Sequence, residues 1–299
     1  MNRPFRGVYT AIITPFTKGG NVDEEALQRI IEFQIESGID GLVPCGTTGE
    51  SPTLSHDEHD RVIELTVQYA NGRVPVMAGT GSNATSEAIR LSRHAQDAGV
   101  HSLLQVNPYY NKPTQKGLYL HFKAIADAVD IPVVVYNIKG RTGINVETPT
   151  LVRLMKDCPN IQGVKEASGN LDQMKDVIQN RIDGFSVLSG DDNMTFSLLR
   201  EGGDGVVSVA SNLIPRQLVE FVHTALDGDF DAAQKEEDRL MEFFKALFLE
   251  TNPIPIKTAM SMRGWCEEVF RLPMCGFSDT SYYRTLQEII DRIGAPEAP

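Results

Sequence analysis

The chain alternates between two hydrophobic rhythms. Short runs rich in β-branched residues recur along it, and the stretches between them keep apolar residues on one helical face with charges opposite. Eight such runs can be counted: VYTAIITP from Val8, GLVPCG from Gly41, PVMAGTG from Pro75, HSLLQVN from His101, PVVVYN from Pro132, IQGVKEA from Ile161, FSVLSG from Phe185 and GVVSVA from Gly205. The gaps predict helices, as in DEEALQRIIEFQIESG, whose apolar stripe ends at Gly38. Strand and helix alternating through eight units outline a (β/α)8 barrel, a TIM barrel, with an open doubly wound sheet as the competing arrangement. The count of eight favours the barrel. The GTGSNAT after the third run lacks the third glycine of a dinucleotide-binding turn. After about residue 225 the strand signals stop, and helical segments such as DFDAAQKEEDRLMEFFKALF continue to the end. The organisation expected is therefore a catalytic barrel over residues 1–225 and a C-terminal helical subdomain over 226–299.

Composition narrows the partners. With 299 residues, 41% of them hydrophobic, the chain can bury one large core. A formal net charge of -12 repels nucleic acid and anionic membrane surfaces, so neither is expected as a partner, and an anionic substrate must meet a locally basic pocket. Cys45, Cys158, Cys266 and Cys275 form no C-x-x-C pair and no zinc-type spacing with histidine. The opening MNRPFRGVYTAIITPF does not read as a secretory signal, and no stretch is long and apolar enough for a bilayer, which implies a cytoplasmic protein with reduced thiols.

In such a barrel the functional groups gather where strands end. The second strand delivers CGTTGE, with Thr47 and Thr48 in a turn rich in backbone donors and suited to a carboxylate. The fourth delivers NPYYNKP with Tyr109 and Tyr110, and the fifth YNIKGRTG with Tyr136 and Arg141. The sixth carries Lys165 within the strand itself. An ammonium taken out of water without a partner is costly, so a strand lysine needs a partner or a chemical role. One amine, two kinds of hydroxyl and an arginine supply the parts for Schiff-base chemistry on a small keto acid, because a desolvated amine is a nucleophile and its iminium an electron sink. Each residue alone has a plainer reading. Lys165 could pair with an acid, Arg141 could be a solvated charge, and the tyrosines could pack against their loop. Glu166 is a poor partner for Lys165, since strand neighbours face opposite ways. What favours chemistry is that all of them fall at the same end of successive strands.

GTTGE, PYYNKP, YN followed by GRTG, GVKEASGN, LSGDD and NPIPIK, in this order and over essentially the whole chain, resemble the dihydrodipicolinate synthase family of the pyruvate-dependent class I aldolases. They resemble N-acetylneuraminate lyases and 2-keto-3-deoxygluconate aldolases more loosely. The resemblance implies a lyase that joins pyruvate to L-aspartate 4-semialdehyde, giving 4-hydroxy-tetrahydrodipicolinate for diaminopimelate and lysine biosynthesis, with no cofactor beyond a covalent pyruvate Schiff base. Residue by residue, it implies Lys165 as the Schiff-base lysine and Tyr136 as the general acid and base. Thr47 and Thr48 would bind the pyruvate carboxylate. Thr48 would also relay protons between Tyr136 and Tyr110, the latter supplied by a neighbouring subunit. Arg141 would take the carboxylate of the second substrate, and Gly190 and Val207 would offer backbone groups. Sharing Tyr110 requires at least a dimer, and the family's pattern is a homotetramer of tight dimers. Lys139 departs from the family, where proline is common, and adds a positive charge beside Arg141. Other readings are an aldolase for a sugar-derived aldehyde and a non-catalytic sensor of a keto acid or lysine.

Ser55 and Glu58 in SPTLSHDEH form a capping box that starts a helix. His56 and His59, three apart, could serve a metal, but no third ligand stands out and no metal is expected. The resemblance instead implies an allosteric L-lysine site between subunits made of Ser51, His56, His59, Asn83, Glu87 and Tyr109, with Glu87 on the effector's amine. Pro52 stands where some lysine-sensitive members have alanine. Two further motifs have rival readings. SGDD from Ser189 invites a magnesium ion, though helix capping by Asp191 or Asp192 is the simpler expectation. Lys257 in NPIPIK is a second Schiff-base candidate, ranked below Lys165 because two prolines place it in a loop or helix start.

Overall fold

The computed structural model describes residues 3–299. Its first half runs β1 (Gly7–Ala11), α1 (Glu24–Glu36), β2 (Gly41–Val43), α2 (His56–Ala70), β3 (Met77–Gly79), α3 (Thr85–Asp97), β4 (Ser102–Val106), α4 (Gln115–Ala126) and β5 (Val133–Asn137). There follow α5 (Lys139–Thr142), α6 (Thr148–Asp157), β6 (Ile161–Glu166), α7 (Leu171–Asn180), β7 (Ser186–Ser189), α8 (Thr195–Arg200), β8 (Gly205–Ser208) and α9 (Pro215–Leu226). The chain ends in α10 (Phe230–Ala246), α11 (Ile254–Met262) and α12 (Ser281–Arg292). All eight expected strands are present. They pair in parallel in the order β2-β1-β8-β7-β6-β5-β4-β3, and a parallel bridge between Leu42 and Val76 joins the two ends, so the sheet closes into the barrel rather than an open doubly wound layer.

Local chemistry explains where the helices begin. The Asp23 side chain accepts the Ala26 amide at the start of α1, and the expected capping box of Ser55 and Glu58 opens α2. Asp229 does the same for α10 by accepting the Ala232 amide. Alternation then sorts the strand residues between two cores. Tyr9, Val43, Met77, Val134, Tyr136, Leu188 and Val207 fill the barrel interior. Val8, Leu42, Val133, Val135, Val164 and Val187 face outward into the larger core beneath the helices. Leu27, Ile30 and Ile31 of α1 are fully buried there, and each contributes about 1.5–3 kcal/mol by leaving water. The same outer core runs without a break through Phe243 and Phe244 of α10, Ile256 and Ala259 of α11 and Leu286 of α12. Among the described residues no helix is long and apolar enough to cross a membrane.

Candidate active site

Lys165 and Tyr136 sit side by side, in direct register across β5 and β6. Residues paired in parallel strands share a face, so both side chains enter the barrel. Lys165 is only 5% exposed, and its Nζ lies 4.2 Å from the centre of the Tyr136 ring. Desolvation lowers the lysine pKa to about 8, although the nearby carboxylates of Asp191 and Asp192 act the other way. Burial drives the Tyr136 phenol well above its ordinary range, so it is a proton donor in the resting site, with Arg141 and Thr47 pulling modestly in the opposite direction.

The expected companions gather around this pair. Thr47, Thr48, Arg141, Gly190, Asp191 and Lys165 line one small cavity above the barrel, together with Asn252 and Phe248 from the C-terminal region. Gly190 has no room for a side chain there, since a Cβ would stand 2.5 Å from that of Ala167 and 3.0 Å from Lys165 Cε. Arg141, on the short helix α5, is exposed but anchored: its Nη2 donates to the Asn252 carbonyl at 3.1 Å. Lys139, three positions from Thr142 on that helix, is exposed at the rim. Val207 is not on this cavity wall. It packs in the barrel interior, and Val209, two residues on, lines the cavity instead.

Asn252 is a site residue that sequence reasoning missed, although NPIPIK contained it. Its Nδ2 donates to Thr48 Oγ1 at 3.0 Å across 204 positions of chain, and its own Oδ1 is buried without a partner. Tyr110 behaves differently from the other candidates. It is 91% exposed, has a left-handed backbone at φ 73 and lies outside that cavity.

The geometry bears on three rival readings, and of these it corrects the helix cap expected at Asp191 or Asp192. Glu166 faces outward as alternation requires, where it accepts hydrogen bonds from Asn137 Nδ2, Gln173 Nε2 and the Ser168 amide. The Asp191-Asp192 pair does not cap the next helix with its side chains. Asp192 accepts the Val209 and Ala210 amides at 3.0 and 2.9 Å and so pins the end of β8, while Asp191 lines the cavity beside Lys165. Lys257 is on α11, fully buried and paired with Glu50 at 2.5 Å, so its charge is satisfied.

A larger cavity of roughly 400 Å³ runs from Thr47, Tyr136 and Arg141 to Ser51, Pro52, His56, His59, Glu87 and Tyr109. His56 Nε2 and Glu87 Oε1 are 2.8 Å apart, and Glu87 is held below the usual carboxylate range by Ser82 and His56. His59 Nε2 bonds the Gly79 carbonyl at 2.9 Å, and burial lowers its pKa. Asn83 stands outside this cavity, its carbonyl accepting from Asn111. Among the described residues no group of three metal-ligating side chains is placed to hold an ion.

A parallel eight-stranded barrel whose buried lysine sits among a phenol, hydroxyls and a guanidinium has the parts of an aldolase-type lyase. The comparisons make the assignment specific. Residues 4–293 match the model of the dihydrodipicolinate synthetase family, and the chain belongs to that family. A 4-hydroxy-tetrahydrodipicolinate synthase of Endomicrobium trichonymphae is 55% identical over 91% of this chain and 92% of its own. The crystal structure of the dihydrodipicolinate synthase of Aquifex aeolicus superposes with a TM-score of 0.96 at 46% identity, covering 99% of this chain and 100% of that one. A dihydrodipicolinate synthase from Cyanidioschyzon merolae with lysine bound superposes at 0.95 with 39% identity, covering 98% and 99%.

Proposed function

We propose that this chain condenses pyruvate with L-aspartate 4-semialdehyde to give 4-hydroxy-tetrahydrodipicolinate, in the cytoplasm, as a step toward diaminopimelate and lysine. The observation that carries this reading is Lys165, buried, unpaired and lowered to about pKa 8 beside a protonated phenol. Its neutral amine adds to C2 of pyruvate, and water leaves as the iminium forms. The Thr47-Thr48 turn takes the pyruvate carboxylate. Tyr136 gives its proton to the departing hydroxyl and then takes one from C3, and the resulting enamine attacks the aldehyde carbon of the second substrate, whose carboxylate rests on Arg141. The new alkoxide takes the proton carried by Tyr136. The amino group of the second substrate then displaces Lys165 from C2, which closes the ring and frees the amine. The iminium is the only electron sink this sequence requires, so no organic cofactor or metal enters it.

Tyr110 completes the proton relay from a neighbouring copy, in a homotetramer built from tight dimers; the threonine expected in that relay was Thr48, but the hydroxyl bonded to the Tyr136 phenol is that of Thr47, which takes the role. Residues 1–225 form the catalytic barrel, and residues 226–299 form the helical subdomain that brings Asn252 to it. The larger cavity is the L-lysine site, with Glu87 on the effector's amine and Ser51, His56, His59 and Tyr109 lining it, while Asn83, outside the cavity, would join it from beyond its wall. What supports this is its continuity with Thr47 and Tyr136, which gives a bound effector a route to the catalytic groups. Lys139 at the rim adds attraction for an anionic aldehyde.

The test is turnover of the two substrates, coupled to the following NADPH-dependent reductase. Robust turnover that vanishes in Lys165→Ala is expected. A folded protein that traps pyruvate yet turns over only a sugar-derived aldehyde would replace the second substrate, and one that traps no pyruvate would make it a sensor. Adding L-lysine to the same assay should inhibit, and no inhibition at millimolar concentration removes the effector site.

A further inference from the structure

Glu50 and Lys257 take no part in the reaction above, yet the fold gives them its least exposed ionic contact. Their side chains are 1% and 0% exposed and meet at 2.5 Å. The Phe16 ring lies 4.0 Å from the ammonium, and the second Glu50 oxygen accepts the Arg271 amide at 3.2 Å. Glu50 also adopts a left-handed backbone, φ 53, which a residue with a side chain rarely does. Buried ion pairs of this kind add little net stability, so direction rather than strength is what they offer.

The two partners anchor segments that end in the active site. Glu50 closes the threonine turn, its amide donating to the Thr47 carbonyl at 3.1 Å. Lys257 lies in the first turn of α11, its amide donating to the carbonyl of Pro253, the residue after Asn252. The far ends of these segments meet where Asn252 Nδ2 donates to Thr48 Oγ1, and the Asn252 carbonyl receives Arg141. Thr47, the residue before Thr48 in the same turn, supplies the hydroxyl that bonds to the Tyr136 phenol, so whatever fixes Thr48 also fixes that contact.

We propose that Glu50 and Lys257 are positioning residues: their ion pair holds Asn252 against Thr48 and Arg141, and so keeps the threonine turn, with its Thr47 hydroxyl, in register with the Tyr136 phenol. The inference rests on the Schiff-base reading above, and the experiment separates the two. Exchange of the pyruvate methyl protons with deuterium needs only the iminium, the enamine and the relay, not the second substrate. Two variants test it. Glu50→Gln with Lys257→Met removes both charges together, leaving neither stranded, and Asn252→Ala keeps the ion pair but cuts its link to the site.

Both should slow exchange per folded molecule by roughly tenfold to a hundredfold, the scale of small misplacements, while borohydride still traps pyruvate on Lys165. A purely structural role would instead lower the melting temperature and leave exchange per folded molecule unchanged. Unchanged exchange in either folded variant overturns the proposal. If the double variant does not fold, Asn252→Ala decides alone. A parent chain that exchanges no protons defeats the Schiff-base reading itself, whatever the variants do.

Discussion

Two buried lysines in this molecule have opposite chemistry. Lys165 and Lys257 are 5% and 0% exposed, and both lie against an aromatic ring, 4.2 and 4.0 Å from its centre. Desolvation depresses the basicity of both. Lys257, however, has the Glu50 carboxylate at 2.5 Å and lines neither of the two cavities described above. Among the described residues Lys165 has no hydrogen-bond or ion-pair partner, and it opens into space lined by Thr48, Arg141 and Gly190. Burial alone therefore does not make an amine a nucleophile. A lone pair becomes available where the charge is costly, no carboxylate is within hydrogen-bonding distance to hold it and a substrate carbon can approach.

The largest effect that should separate the two lysines is chemical. Lys165→Ala should lower turnover by roughly 10⁴-fold or more and abolish borohydride trapping of pyruvate, with the fold intact by circular dichroism. Lys257→Met should do the reverse. It strands the Glu50 carboxylate in the interior and should cost about 3–5 kcal/mol of stability in urea unfolding, while the folded fraction still traps pyruvate. A folded Lys257→Met that cannot be trapped would exchange the roles of the two residues. The smallest and most diagnostic effect is on pH dependence. Lys165 is lowered to about 8, so the reactive neutral amine grows tenfold per pH unit below that value and saturates above it. The kcat/KM for pyruvate should follow the same curve, rising toward about pH 8 and levelling off. A flat profile from roughly pH 6 to 9 would mean that Lys165 is not the titrating nucleophile.

Much of the site was legible because it depends on parity and position along strands. Lys165, Tyr136 and the threonine turn each lie at or near the C-terminal end of a strand that its own residues announce, and alternation correctly turned Glu166 away from Lys165. Errors arose where a contact spans the chain. Asp192 reads locally as a helix cap, yet its carboxylate reaches the amides after β8. Asn252 carried no local signal of involvement in the site.

What the sequence determined by itself is everything set by neighbours a few positions apart: eight strands, their intervening helices, the caps at Asp23, Ser55 and Asp229, and the motifs that mark the family. Only the tertiary structure decided which lysine is free and which is paired. Glu50 and Lys257 are 207 positions apart, and Thr48 and Asn252 are 204 apart. Nothing in either local stretch encodes the other's approach. Closure of the barrel and packing of the C-terminal helices bring those groups within a hydrogen bond, and at that range a carboxylate's presence or absence decides whether a buried amine is an anchor or a nucleophile.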